Sequence, residues 1–263
     1  MKILAYYKKA ALKNNLRYDY DKTSEGRPAW IEVSGLPKNT NFIKINLGKK
    51  GREGARIQFY KTYIIKGLFL PIDHTSEEIK KFYDKWANDY DDFIVSGGTG
   101  AKGQNIIASN FLLNKIKKHI QRGEFLDLGA GTGIITEKFV NAGFGPATIV
   151  DYSEGMINNA KKRKALKKCA FIKEDIRKLN MNKKFPLIIS SFSFASSSYF
   201  KKEELPLIVR VLKKHLKKGG IFALMGHTSL KIFNNDFEKL EAGIYDLSTK
   251  NKFYCDYFIG RKK

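Results

Sequence analysis

Cysteine is nearly absent from this chain, and the little there is excludes two architectures. Cys169 and Cys255 lie far apart with no CxxC spacing, and His74, His119, His215 and His227 are scattered singly. Neither a disulfide framework nor a structural zinc or other metal site is indicated, and the cysteines read as small, reduced, apolar residues. Long apolar runs are missing too. The longest, such as "YIIKGLFLPI", are too short and interrupted to span a bilayer, and the opening "MKILAYYKKAALKNN" lacks the apolar length of a signal peptide. The expectation is a cytoplasmic protein with no membrane partner. Acidic residues are scarce as well: 26 Asp plus Glu stand against 49 Lys plus Arg, a net charge of +23. Such a surplus marks either a polyanionic partner, RNA above all, or a lysine-rich composition that solvates every face. Residues 1–75 hold 15 basic against 6 acidic side chains, so the excess runs through both halves and is denser in the first.

With 263 residues, 43% of them hydrophobic, the chain can bury one large core with a small appended unit. The pattern divides it near residue 75. Before that point, short β-like runs ("AWIEV", "FIKINL", "ARIQFY", "TYIIKGLFL") are separated by turn residues, with "YYKKAALKNNL" a possible helix ahead of them. This reads as a small β-rich N-terminal unit, residues 1–75, followed by a larger α/β domain over 76–263. The larger domain opens on a helix over "TSEEIKKFYDKWANDYDDFI", capped by Thr75 or Ser76, and a second helix is predicted over about 104–119. Strand and helix then alternate from Phe125: "EFLDLG", a helix from Ile134, "ATIVD", a helix "EGMINNAKKRKALKK", "AFIKED" and "FPLIISS". A long helix "KEELPLIVRVLKKHLKK" follows, ended by Gly219 and Gly220, then "GIFALMG", a short helix near "NDFEKLE", and a closing pair "GIYDLSTKN" and "KFYCDYFIGRKK". Alternating βα units predict a mostly parallel sheet covered on both faces, and the closing pair an antiparallel hairpin at one edge.

Two glycine clusters compete for a cofactor. "SGGTGAKGQN", residues 96–105, lacks the G-x-x-x-x-G-K-[ST] order of a phosphate cradle and no strand feeds it, so its glycines read as hinges of a lid. "FLDLGAGTG" instead sets Gly129, Gly131 and Gly133 between a buried strand and a helix start, where backbone can approach a ligand. Asp151 ends the next strand, placed to accept both hydroxyls of a ribose; Asp175 follows the strand after that, placed to accept from an adenine amino group beside the Ile176 backbone. Asp127, ahead of the glycines, would face an ammonium group. One carboxylate each for an amine, a ribose and an adenine describes S-adenosylmethionine.

From about Phe82 to the end, the chain resembles the class I S-adenosylmethionine-dependent methyltransferases. "LDLGAGTG", "DYSEGMINNA", "EDI" and "FYCDYFIGRK" resemble successive motifs of that family, and "YDKWANDYDDF" is similar to the "YDxWAxxYD" lead-in of its small-molecule branch. The resemblance implies a Rossmann-like, seven-stranded fold with S-adenosylmethionine as cofactor. It sets Asp127, Gly129, Ala130 and Gly131 around the methionine portion and Asp151 on the ribose, with Tyr152 and Met156 beside it. Asp175 and Ile176 fall at adenine, Tyr83 and Tyr90 near the cofactor, and Ser191 at its acceptor side. The "[DN]PP[YF]" tetrapeptide of amino-group methyltransferases of nucleic acids is absent after "FPLIISS", where "SSFSFASSSYF" stands. Tyr199 and His227 are the candidate catalytic side chains, His227 as a general base if the acceptor must lose a proton. A small-molecule acceptor is expected. An RNA acceptor gripped by the basic N-terminal unit and "KKRKALKK", and a non-catalytic S-adenosylmethionine binder, are the alternatives. Oligomeric state leaves no trace in the sequence.

Overall fold

A computed structural model of the chain describes residues 17–22, 28–34, 76–96, 103–194, 200, 204–226, 233, 235–246 and 254–263. In the first 75 residues β1 (Arg17–Lys22) and β2 (Pro28–Ser34) pair antiparallel in a two-stranded sheet of their own. β2 contains the expected "AWIEV"; β1 is a strand the sequence reading did not foresee. The other three β-like runs and the helix considered over "YYKKAALKNNL" lie outside the described residues.

The larger sheet has seven strands in the order β5-β4-β3-β6-β7-β9-β8. β3 (Phe125–Leu128), β4 (Ala147–Asp151), β5 (Ala170–Lys173), β6 (Phe185–Ser191) and β7 (Leu216–Gly226) run parallel, while β9 (Tyr254–Lys262) runs antiparallel between β7 and β8 (Phe237–Asp246). This is the mostly parallel sheet with a C-terminal antiparallel hairpin that the alternation predicts. Strand order reverses at β3, so a crevice opens there at the carboxyl ends of the strands, where open α/β sheets bind ligands.

Both faces of the sheet are buried. Phe125, Leu187, Ile189, Ile221 and Ile259 meet α3 (Gln104–Ile116) and α4 (Ile134–Asn141), while Leu126, Leu128, Ile188, Phe222 and Leu224 meet α6 (Leu205–His215). The strict alternation along β3 is the period-two geometry of a strand covered on both sides. Leu205, Ile208, Val209 and Leu212 form the apolar face of α6 as their spacing predicts. A buried His215 ends this helix: Nε2 accepts the Met181 amide at 3.0 Å, so Nδ1 carries the proton and donates to the Val211 carbonyl at 2.8 Å.

Several boundaries differ from expectation. The lead-in helix breaks at a turn after Trp86, giving α1 (Ser76–Trp86) and α2 (Tyr90–Ser96), with the Asp89 amide bonded to the Trp86 carbonyl. The helix predicted to about 119 ends at Ile116, and α5 (Glu154–Lys162) stops at Lys162 before a single 3-10 turn over Lys164–Leu166. Gly219 and Gly220 do not end α6. Leu216 already belongs to β7, and the glycines form a bulge there: Phe185 pairs with Leu216 but Leu187 with Ile221. Gly219 has φ 71°, and a Cβ on Gly220 would lie 2.9 Å from the Lys217 carbonyl. The short helix predicted near "NDFEKLE" is absent. Phe237 starts β8 and packs on Phe222, Phe233 and Phe258, so ladder pairing with β9 and an aromatic core override the helix preference of Glu, Lys and Leu.

At the amino ends of the strands, lysines crowd together. Lys183 and Lys217 share Glu124, Lys213 pairs with Asp236, and Lys262 donates to the Leu216 carbonyl. Burial, with Lys184 and Lys213 nearby, pushes the Lys262 ammonium below its ordinary pKa.

Candidate functional site

The loop after β3 takes its shape from three left-handed glycines, Gly129, Gly131 and Gly133, with φ of 69°, 58° and 73°. Any other residue would be strained at each, but their surroundings differ. A Cβ on Gly129 would lie 2.3 Å from Ser193 Cβ, and one on Gly133 2.7 Å from Leu166 Cδ1. These two admit neighbouring protein. Of the three, Gly131 alone leaves room for a Cβ, with Tyr90 Cε1 at 3.8 Å and Met156 Sδ at 4.0 Å from its notional position. The amides of Gly129 and Ala130 both donate to the Val150 carbonyl, so the Ala130 amide serves the loop itself.

Asp151 ends β4 with its carboxylate held by backbone: Oδ2 accepts the Gly131 amide at 2.8 Å and Oδ1 the Ser153 amide at 2.9 Å. Burial raises its pKa to about 6 against these hydrogen bonds. Asp127, inside β3 and almost wholly buried, accepts the Thr136 hydroxyl at 2.6 Å; burial, with Asp151 adding repulsion, carries its pKa to about 7. A cation beside Asp127 would offset that burial cost. Asp175 follows β5 and caps the 3-10 turn Ile176–Lys178, accepting the Arg177 amide at 2.9 Å, with Ile176 buried next to it. Ser191 ends β6, its Oγ buried and without a hydrogen-bond partner among the described residues.

The lead-in helices cover this crevice. Phe82, Tyr83, Trp86 and Tyr90 make one aromatic cluster, with Trp86 and Tyr90 4.8 Å apart between ring centroids. What fastens the helices down is polar, and the sequence reading missed it. Asp84 accepts the Ser153 hydroxyl at 2.7 Å and the Gly155 amide at 2.9 Å, docking α1 on the positive end of α5. Those bonds hold its pKa low despite burial. Gly155 permits the approach, since a Cβ there would lie 2.9 Å from the Asp84 carbonyl. Asp91, on α2, accepts from the Thr132 hydroxyl in the glycine loop and from Arg163, whose Nε donates to the Thr132 carbonyl at 2.7 Å. Asn159 donates to the Ala87 carbonyl between them at 2.7 Å. The signal was present as a repeated Tyr-Asp, 83–84 and 90–91; the reading took its tyrosines and passed over its aspartates.

Thus Tyr90, Gly131, Asp151 and Met156 come together, Tyr83 stands behind Tyr90, and Tyr152 donates its hydroxyl to Glu77 at the start of α1. His227 and Tyr199, the candidate catalytic residues, lie outside the described residues, as do residues 97–102 of the expected lid loop.

Residues 125–220, the strands and helices that carry this crevice, match the family model described as a methyltransferase domain. These residues carry a methyltransferase domain. The chain is 33% identical over 135 residues to a malonyl-[acyl-carrier protein] O-methyltransferase of Bacillus cytotoxicus, a stretch covering 49% of this chain and 45% of that one. It is 28% identical over 164 residues to a demethylmenaquinone methyltransferase of Chlamydia trachomatis, 61% of this chain and 66% of that one. The match thus spans about half to two thirds of the length of these relatives. The fold is shared with magnesium protoporphyrin IX methyltransferase from Synechocystis PCC 6803, solved with bound SAH: TM-score 0.54 at 14% identity, over 72% of this chain and 99% of that one.

Proposed function

We propose that this chain transfers the methyl group of S-adenosylmethionine to a small-molecule acceptor. The observation that carries the reading is Asp151, whose carboxylate is pinned by two backbone amides at a strand end beside Gly131, where a Cβ would meet nothing closer than Tyr90 Cε1 at 3.8 Å. A carboxylate so held presents its remaining lone pairs in a fixed direction, as a ribose diol requires. Asp175 and the Ile176 backbone take the adenine, and Asp127 with Gly129 and Gly131 lies at the methionine end, where an ammonium offsets the burial of Asp127. Tyr83, Tyr90, Tyr152 and Met156 wall the cofactor, and the unpartnered Ser191 hydroxyl faces its acceptor side. Residues 76–263 form the catalytic unit in this reading, and residues 1–75 a separate one.

S-adenosylmethionine supplies a methyl group on a sulfonium. Bound in the crevice, it would donate that methyl to an acceptor lone pair by in-line displacement, with S-adenosylhomocysteine as the other product. Charge is dispersed in that step, so the protein's contribution is mainly orientation and exclusion of water. The crevice under α1 and α2 is suited to both. A proton need be taken only from an acceptor that must lose one, for which His227 is the candidate.

The named acceptors of the three relatives are a malonyl carrier conjugate, a quinone and a porphyrin, which favours the small-molecule reading over RNA. The test is methyl-labelled S-adenosylmethionine incubated with the protein and an extract of its own cells. Label in the small-molecule or carrier fraction is expected; label in RNA would sink this reading, and binding without any transfer would return the non-catalytic alternative.

A further inference from the structure

Arg177 plays no part in the reading above, yet it is the most connected side chain at the edge of the crevice. Its Nε lies 2.9 and 3.1 Å from the two oxygens of Asp175, and Nη2 completes the fork on Oδ2. Nη1 donates to Glu204 at 2.5 Å, immediately before α6, and Nη2 also donates to the hydroxyl of Ser76, the first residue of α1. The guanidinium stands 5.6 Å from the centroid of the Phe200 ring. One half-buried, rigid fork therefore joins the end of β5, the start of α1 and the segment between β6 and α6. A lysine could not do this, having a single nitrogen.

The geometry at Asp175 is selective. The backbone amide, Nε and Nη2 of Arg177 occupy most of the four or so lone-pair directions a carboxylate offers. What remains suits one further donor, such as an amino group. One residue along α1, Glu77 accepts the hydroxyl of Tyr152, which follows Asp151. The first turn of α1 thus bridges the two strand ends, β4 and β5, between which an adenosine would lie.

We propose that Arg177 is a positioning residue that couples occupation of the adenosine subsite to docking of the first turn of α1. It orients Asp175 for the adenine amino group and, through Ser76, holds the cover down over the same subsite. Cofactor escape then requires the clasp of Ser76 and Glu77 to open. This rests on the cofactor reading given above.

The test reads binding rather than turnover. S-adenosylhomocysteine affinity is measured by calorimetry, and hydrogen exchange over residues 76–86 is followed with and without saturating ligand, in wild type, Arg177→Gln, Ser76→Ala and Asp151→Ala. Arg177→Gln is expected to weaken binding about tenfold, as for a lost charge-assisted contact, and to abolish ligand-dependent protection of 76–86 even at saturation. Ser76→Ala keeps the Asp175 fork in place, so it tests the coupling where Arg177→Gln folds poorly; it should hold affinity within about threefold and still lose most of that protection. Asp151→Ala should bind weakly yet regain full protection once saturated. Wild-type protection of 76–86 in saturated Arg177→Gln or Ser76→Ala would overturn the coupling. Unchanged affinity in Asp151→Ala would instead overturn the cofactor reading beneath it.

Discussion

The two ends of the sheet handle charge in opposite ways. At the carboxyl ends, Asp84, Asp91, Asp151 and Asp175 are each held by directed hydrogen bonds from named backbone or side-chain donors. At the amino ends, Lys183 and Lys217 share Glu124 and Lys213 pairs with Asp236, while burial, with Lys184 and Lys213 nearby, lowers the pKa of Lys262. Directed bonds to carboxylates from several donors at once fix geometry, whereas single ammonium contacts on flexible stems fix little. The +23 of the whole chain therefore says nothing about where the chemistry is, and the acidic minority does.

That contrast can be broken most forcibly at Asp151. Asp151→Ala should weaken cofactor binding by about 1–3 kcal/mol in calorimetry; no change would make the strand-end carboxylate as inert as the lysines opposite. Next in size, Asp84→Ala removes the anion docked on the positive end of α5 and should cost about 1–2 kcal/mol of stability in denaturant unfolding, with faster hydrogen exchange in α1 and no loss of exchange protection in β7.

A smaller effect is expected from pH. The folded-state pKa of Asp127, about 7 against an ordinary 3.8, means that the folded protein binds this proton more tightly than the unfolded chain. Its contribution is present at low pH and lost as pH rises through about 7. Cofactor-free wild type should thus lose about 1 kcal/mol between pH 6 and 8 relative to Asp127→Asn, measured by paired melts. His215 works in the other direction: burial lowers its pKa, so its contribution is present above the ordinary 6.5 and lost as pH falls below it, equally in both proteins. Smallest of all, Lys184→Ala should leave cofactor affinity unchanged and shift stability by no more than about 0.5 kcal/mol. A loss of affinity there would erase the distinction between the two ends.

Much of this was legible in the residue order. "FLDLG" and "ATIVD" are short apolar runs ended by an acid, and such runs bounded by glycine leave little choice but buried parallel strands, so β3, β4 and the position of Asp151 followed directly. "FEKLEAGIYD" carried helix-forming residues at helical spacing, and only the partner strand 254–262 and the ring of Phe222, both distant in sequence, make it β8. Gly219 and Gly220 were equally ambiguous, because a glycine pair stops a helix or bulges a strand depending on what pairs beside it. The glycine loop was legible from its spacing, but what each glycine faces was not: a Cβ on Gly129 or Gly133 would collide with Ser193 or Leu166, both distant in sequence, whereas one on Gly131 would not. The roles of Arg177 and the two docking aspartates were invisible because the partners that tie them to other helices lie between 27 and 101 positions away in the chain, and no local pattern encodes such a pairing.

The break after Trp86 gives the lead-in a property of a measuring rod. Residues 84 and 91 are seven apart, which on one unbroken helix would put both on the same side; the turn at 87–89 instead delivers them to different anchors, the start of α5 and the glycine loop. The distance between those anchors is set by the sheet beneath. The count of residues between the two aspartates is therefore fixed by the spacing of β3 and β4, and a single inserted residue would leave one of the two unable to reach its socket.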